Sequence, residues 1–297
     1  MPTLPETLDE RVVLLDGGLA TELERRGHDL SSRLWSARLL VDDPDAILDV
    51  HRAYFAAGAE VATTASYQVS FAEFARRGVD AAALLRRSVE LAERARDEHG
   101  AGWVAASIGP YGAVLADGSE YRGDYGLSVA QLRRFHRPRL EILAATAADV
   151  LAVETVPCLV EAEAVLAELA DLGKPAWMSL TSAGGRTRAG ERLADAFVMA
   201  GDCPAVFAVG VNCLAPGEVA HALRLATQHS GKPGVAYPNS GQAWDAAARQ
   251  WAGPAAFAPA DARDWVAAGA RLLGGCCRVG PAEITALGRE LRPADHA

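Results

Sequence analysis

The run Val12-Val-Leu-Leu-Asp-Gly-Gly18, continuing into Leu-Ala-Thr21, decides between two ways of covering a parallel sheet with helices. It is an apolar, strand-like run that turns into a helix. A doubly wound dinucleotide fold carries G-x-G-x-x-G at that turn, and the fingerprint is missing here. A closed barrel is therefore the better reading. Further apolar runs follow at residues 60–67, 104–112, 150–157, 175–182, 206–213, 234–240 and 270–277. They are near-continuous rather than alternating, as in parallel strands buried on both faces. Helical stretches separate them. Residues 158–172 set Leu159, Ala162, Leu166, Leu169 and Leu172 at three- and four-residue spacing, with Gly173 as a stop signal. Residues 80–99 bury Leu84, Leu85, Val89, Leu91 and Ala95, with Asp80 as N-cap and Gly100 as terminator. Eight such units in 297 residues predict an α/β chain: one (β/α)8 TIM-barrel domain over residues 1–297, without linker, repeat or low-complexity segment.

Half the residues are apolar and the net charge is −9 without long runs of one sign, which argues against a nucleic-acid partner. The first residues, Met1-Pro-Thr-Leu-Pro-Glu, lack a basic stretch followed by an apolar one, and no apolar run approaches the roughly 18 residues of a membrane span. A cytoplasmic protein without membrane partners is expected, as a monomer or weak homo-oligomer. Five cysteines are too few and too odd a set for a disulfide framework, which fits a reducing compartment.

A barrel of this kind works at the C-terminal ends of its strands. The unusual residues fall there: Asp16-Gly-Gly18, Thr63-Thr-Ala-Ser-Tyr-Gln68, Gly109-Pro-Tyr-Gly112, Glu154-Thr155, Asn212-Cys213, Tyr237-Pro-Asn-Ser-Gly241 and Gly275-Cys-Cys-Arg278. Cys213, Cys276 and Cys277 thus end two strands that are neighbours but one. Three thiolates suit zinc, leaving a fourth position open for catalysis. Adjacent residues in a strand face opposite ways, so Cys276 and Cys277 reach one ion only if Gly274-Gly275 lets the backbone leave extended geometry. Spacing alone also allows Cys213 as a buried small hydrophobe and Cys276-Cys277 as an incidental pair or vicinal disulfide. None of the seven histidines ends a strand run, and Cys158 and Cys203 read as structural. The stretch Gly184-Gly-Arg-Thr-Arg-Ala-Gly190 lacks the phosphate-loop order and reads as a flexible loop.

Taken together, Asp16-Gly-Gly-Leu-Ala-Thr-Glu-Leu23, Thr64-Ala-Ser-Tyr-Gln68, Gly109-Pro-Tyr-Gly-Ala113, Asp117-Gly-Ser-Glu-Tyr-Arg-Gly-Asp-Tyr125, Glu154-Thr155, Asn212-Cys213, Tyr237-Pro-Asn-Ser-Gly241 and Gly274-Gly-Cys-Cys-Arg278 resemble the zinc-dependent homocysteine S-methyltransferases over almost the whole chain. The resemblance implies Zn2+ on Cys213, Cys276 and Cys277, with homocysteine as methyl acceptor. Within the family, the segment Asp117–Tyr125 looks like that of the short members that use S-methylmethionine, or less efficiently S-adenosylmethionine. The alternatives are another thiol or selenol acceptor, such as selenocysteine, and a barrel that zinc merely staples.

The chemistry suits these residues. A free thiol with pKa about 8.5 is only roughly 3 per cent ionised at neutral pH, so coordination that completes the ionisation contributes a factor of about 30, or about 2 kcal/mol. In-line alignment of sulfonium and thiolate can add about 7–11 kcal/mol. Zinc with three thiolates carries a formal charge of −1, which draws in a cationic sulfonium. For recognition, Glu154 is expected to pair with the homocysteine ammonium, and Asp16 to contact the amino acid or to support the groups that do. The N–H groups of Gly17 and Gly18 ahead of a helix are expected to take the carboxylate. Thr64, Ser66, Tyr67 and Gln68 are expected to line the pocket, Asn212 to orient the metal shell, and Tyr237, Asn239 and Ser240 to lie on the donor side. The loop Asp117–Tyr125 is a candidate lid, hinged at Gly118 and Gly123.

Overall fold

The computed structural model describes residues 2–30, 35–245 and 250–291. Eight strands form one parallel sheet: β1 (Val13–Leu14), β2 (Val61–Thr63), β3 (Trp103–Ile108), β4 (Val150–Val156), β5 (Ala176–Leu180), β6 (Val206–Asn212), β7 (Gly234–Tyr237) and β8 (Ala270–Leu273). Each pairs with the next in sequence. β8 returns to β1 through Val13↔Leu272 and Leu14↔Leu273, and a single bridge, Leu15↔Val61, completes the circuit between β1 and β2. The expected barrel is present, each strand shorter than the apolar run that announced it. The residues left over hang beyond the ladder at the C-terminal ends, freed from strand geometry.

The helices form the outer layer. Ala81–His99 begins at Asp80, whose side chain accepts from the Ala82 N–H at 2.9 Å, and ends at Gly100 with φ 86°. Leu159–Leu169 buries Ala162, Val165, Leu166 and Leu169 against the sheet. Inside the ring a second apolar cluster contains Val13, Leu15, Val61, Trp103, Ala105, Val150, Ala152, Trp177, Ala208, Val235 and Leu272. It is sealed at the N-terminal end of the strands by a helix that the apolar runs did not announce, Leu4–Glu10. That helix starts with a Thr3/Glu6 capping box and pushes Leu4 and Leu8 into the barrel interior.

Two of the segments that interrupt the pattern at the opposite end bear on the site. After β3 the chain makes a short helix, Tyr111–Leu115, and a 3-10 turn, Ser119–Tyr121. After β5, Ser182–Ala183 pairs with Arg186–Thr187 as an antiparallel hairpin. The segment 184–190, read above as a flexible loop, is therefore partly ordered pairing. Gly184 and Gly185 occupy its tip at φ 59° and 73°, which is the left-handed pair a two-residue hairpin turn needs. Among the described residues no helix is long and apolar enough to cross a membrane.

Candidate metal and substrate site

Where the strands run out, backbone hydrogen bonds bend three cysteines toward one point. Cys213 follows β6 with φ 52°, held by its N–H on the Tyr237 carbonyl (3.2 Å), while its own carbonyl accepts from Thr181 Oγ1 (3.1 Å). Beyond β8, the Gly275 N–H donates to the Asp16 carbonyl (3.0 Å), and the Cys276 N–H to the Pro238 carbonyl (2.8 Å). The Cys277 N–H donates to Asn239 Oδ1 (3.1 Å). A Cβ at Gly274 would lie 2.6 Å from the Asp16 carbonyl oxygen, so only glycine lets the chain pass.

The Sγ atoms of Cys213, Cys276 and Cys277 all lie within 4.8 Å of one another. Cys213 and Cys276 are joined as a disulfide, their Cα atoms 5.6 Å apart, and Cys277 is free. The sparse cysteine set gave no expectation of that bond, and the pair considered for it was the vicinal one. The bend at Gly274-Gly275 turns Cys276 toward Cys213 instead, and the two adjacent sulfurs stand 3.9 Å apart. Opened to thiolates, the three sulfurs are a donor set suited to a thiophilic ion such as zinc. Burial, with the nearby Glu120 charge, pushes the Cys277 thiol up to about 12, so ionising it calls for a cation at the cluster. Cys158 and Cys203 are buried elsewhere.

At the same end of the barrel lie two buried carboxyl groups. Asp16 accepts from the Thr63 N–H (2.7 Å) and Thr63 Oγ1 (2.8 Å). Burial pushes its pKa to about 8 against those hydrogen bonds, with a further push from the Glu154 charge. Glu154 accepts from the Ser107 hydroxyl, and burial raises it to about 7, partly offset by Ser107 and Tyr237. Two desolvated carboxyl groups, Asp16 feeling the charge of Glu154 and neither bonded to a basic side chain among the described residues, form a receptor for a cation such as an ammonium.

Several expected contacts have other engagements. The Gly18 N–H donates to the Val279 carbonyl (2.9 Å), so it is not free for a carboxylate; Gly17 and Gly18 instead permit close approach of the C-terminal loop, a Cβ on Gly17 falling 2.5 Å from the Val279 oxygen and one on Gly18 equally close to that of Cys276. Asn212 turns away from the sulfurs: its Oδ1 accepts from the Thr155 N–H (2.7 Å), and its Nδ2 donates to Thr155 Oγ1 (2.8 Å). That clamp holds a β-branched residue at φ 61°, a conformation costing on the order of 1–3 kcal/mol, immediately after Glu154. Asn239 and the Ser240 N–H hold Cys277, the latter through its carbonyl at 2.9 Å. The Tyr237 hydroxyl is inside the barrel, bonded to Ser179 Oγ (2.5 Å) and Trp177 Nε1 (3.1 Å) and within reach of Glu154.

Thr64 and Ser66 bond to each other (2.7 Å). Ser66 Oγ donates to the Ser107 carbonyl, and the Ser107 N–H donates to Thr64 Oγ1, so this pair braces the serine that holds Glu154. Gln68 Nε2 donates to the Ala113 carbonyl, while its Oε1 is buried without a partner among the described residues. The Tyr67 ring packs where a side chain on Gly109 would stand, and its carbonyl accepts from Arg139.

Four residues of the site were not expected individually, although Glu120 and Tyr121 lie in the segment Asp117–Tyr125 and Arg188 in the segment Gly184–Gly190. Ser107 is hidden inside an apolar run. Glu120 and Tyr121 sit on the 3-10 turn of the expected lid, with the Tyr121 phenol in polar contact with Cys277. Arg188 reaches in from the hairpin after β5, its Nε donating to Thr181 Oγ1 (3.1 Å) and its guanidinium 5.4 Å from the Tyr121 ring centre. Only tertiary structure brings those loops together.

Against known proteins, the family profile for homocysteine S-methyltransferases matches residues 13–291. A homocysteine S-methyltransferase of Escherichia coli (strain K12) is 47% identical over 296 residues, covering 93% of this chain and 94% of its own length. The crystal structure of the E. coli homocysteine methyltransferase MmuM in its metallated form superposes with a TM-score of 0.86 at 43% identity, covering 96% of this chain and 98% of that one. Its oxidized form gives the same TM-score at 44% identity, covering 96% and 99%.

Proposed function

Because this chain belongs to the homocysteine S-methyltransferase family, we propose that it methylates the thiol of homocysteine to give methionine, using zinc and a sulfonium donor, with S-methylmethionine favoured over S-adenosylmethionine. The observation that carries this reading is the meeting of three cysteine sulfurs within 4.8 Å at the end of the barrel where Asp16 and Glu154 lie buried. Zinc on Cys213, Cys276 and Cys277 would supply thiol activation, holding the acceptor sulfur ionised at neutral pH.

The chain's own groups do the rest. Glu154, with Asp16 beside it, takes the acceptor's ammonium. Arrival of that cation favours the charged forms of both carboxyl groups, which burial otherwise resists. Ser107, braced by Thr64 and Ser66, and the Asn212–Thr155 clamp hold Glu154 in place. Tyr67 and Gln68 contribute the neighbouring wall. Gly17 and Gly18 let the C-terminal loop close over β1, and Tyr237, Asn239 and Ser240 fix Glu154 and the Cys277 loop from below. The leaving group is a neutral thioether, so no general acid is required. We place this work in one domain of residues 1–297, in a cytoplasmic enzyme acting on small molecules as a monomer or weak homo-oligomer.

The test is a donor panel on zinc-loaded protein, offering S-methylmethionine, S-adenosylmethionine, betaine and methyltetrahydrofolate with homocysteine as acceptor. Methionine should form fastest from S-methylmethionine, and chelation should stop turnover while the circular dichroism spectrum persists. Exclusive use of betaine would overturn the donor assignment. Unfolding on chelation would make the metal a staple instead.

A further inference from the structure

Two opposite charges stand astride Tyr121 without being paired to each other. On one side is Glu120, whose Oε2 is buried and has no hydrogen-bond partner among the described residues. Its neighbour Arg122 is engaged elsewhere, with Asp117, Asp124 and Ser119 Oγ. On the other side is Arg188, half-buried, its guanidinium over the Tyr121 ring and, among the described residues, only its Nε hydrogen-bonded, to Thr181. No carboxylate among the described residues forms an ion pair with it. The other arginine side chains nearby are differently occupied: Arg139 donates to the Gly109 and Tyr67 carbonyls, and exposed Arg278 to Gln242.

A buried carboxylate oxygen without a partner is costly unless a ligand brings the complementary charge, and the partly exposed Arg188 guanidinium keeps its terminal N–H groups available to an anionic group. Their placement says which ligand. Thr181, which holds Arg188, also holds the Cys213 carbonyl, and Tyr121 touches Cys277, so the pair brackets the sulfur cluster. Glu120 directly precedes Tyr121, whose phenol contacts Cys277, so its buried, unpartnered Oε2 belongs to the turn that meets the sulfur cluster. Asp16 and Glu154 belong to strand ends, whereas Glu120 and Arg188 belong to the two loops lying over them.

We propose that Arg188 and Glu120 form the donor subsite: the Arg188 guanidinium binds the α-carboxylate of an amino-acid sulfonium, and the Glu120 carboxylate faces its positively charged sulfur. Tyr121 is the shared wall between them. This rests on the sulfonium-donor reading above and adds which end of the donor each loop holds. It makes the free amino-acid carboxylate a requirement for tight donor binding.

Titration calorimetry without acceptor tests the subsite independently of turnover, with S-methylmethionine, methionine, trimethylsulfonium and homocysteine as probes. In R188Q, S-methylmethionine and methionine should both bind at least about tenfold more weakly, whereas trimethylsulfonium and homocysteine should be unchanged. In E120Q, S-methylmethionine and trimethylsulfonium should weaken at least about tenfold, and methionine, which lacks the sulfonium charge, less than about threefold. Should R188Q fail to fold, R188K keeps the charge without the planar fork and should show the same ordering at smaller amplitude. Unchanged S-methylmethionine binding in R188Q, equal losses for S-methylmethionine and methionine in E120Q, or a matching loss of homocysteine affinity in either would overturn the proposal. Wild-type protein that binds S-methylmethionine through Arg188 but makes no methionine would refute the proposed reaction and leave the subsite standing. Turnover with unaltered donor binding in both variants would do the reverse.

Discussion

The two ends of this barrel are built on opposite rules. At the N-terminal end, Leu4 and Leu8 from the first helix meet Trp103 and the interior apolar layer, with Trp103 Nε1 bonded to the Pro2 carbonyl (3.3 Å). At the C-terminal end are buried acids, converging sulfurs and, among the described residues, four non-glycine residues in left-handed backbone, Ala116, Thr155, Cys213 and Arg278. One end gains stability by excluding water from apolar surface, whereas the other holds desolvated charge and strained backbone. The contrast teaches that stability and the costly polar groups are housed at opposite ends of one ring.

If the division is real, damage at each end should read out differently. The largest effect is expected for Cys276→Ser: metal content measured by atomic absorption should fall to background and turnover by at least ~1,000-fold, beyond the ~10–100-fold typical of losing an outer partner of a metal ligand, with the circular dichroism spectrum unchanged. Full occupancy and activity would remove Cys276 from the ligand set. At the other end, Leu8→Ala should lower unfolding free energy in urea by about 2–5 kcal/mol while metal affinity and Michaelis constants stay as in the wild type. A shifted metal affinity would show that the ends are coupled.

Back at the mouth, Glu154→Ala should raise the homocysteine KM by about 30-fold or more, the effect of unpairing a buried charge, with metal retained. An unaltered KM would assign the ammonium elsewhere. The smallest effect is a slope. Burial lifts Glu154 from 4.5 in the unfolded chain to about 7 in the folded one, so folding takes up a proton between those values. The stability this group contributes is complete below about pH 4.5 and is lost as pH rises through about 7. Metal-free Glu154→Gln protein should therefore lose stability less steeply over that window than the parent in urea titrations; equal slopes would mean that Glu154 does not carry the proton.

The barrel was legible because its signal is local. Near-continuous apolar runs with helices between them set the strand count, and Asp80, Gly100 and Gly274-Gly275 mark boundaries through their own backbone preferences. The convergence of Cys213 with Cys276 and Cys277 followed from strand ends sharing one rim. What could not be read was where side chains and N–H groups would be committed. Asn212 beside Cys213 looks like a partner of the metal shell, yet the turn at Thr155 claims its amide. Gly18 offers an N–H at a helix start, but the Val279 carbonyl arrives from the far end of the chain to take it. Glu120, Tyr121 and Arg188 come from loops whose mutual placement depends on β3 and β5 being two strands apart in a curved sheet. The helix Leu4–Glu10 was missed because its two deeply buried leucines are too short a pattern to stand out.

The wide separation of the cysteines along the chain has a consequence during synthesis. Cys213 leaves the ribosome 63 residues ahead of Cys276, a gap of roughly 3–13 s at ordinary elongation rates. Through that interval the nascent chain carries one sulfur of the cluster whose two partners do not yet exist, while β8, the strand that joins β7 to β1, is also still unmade. The three-sulfur cluster is thus completed only with the last act of ring closure, so any ion it takes up would enter a nearly finished fold rather than nucleate it.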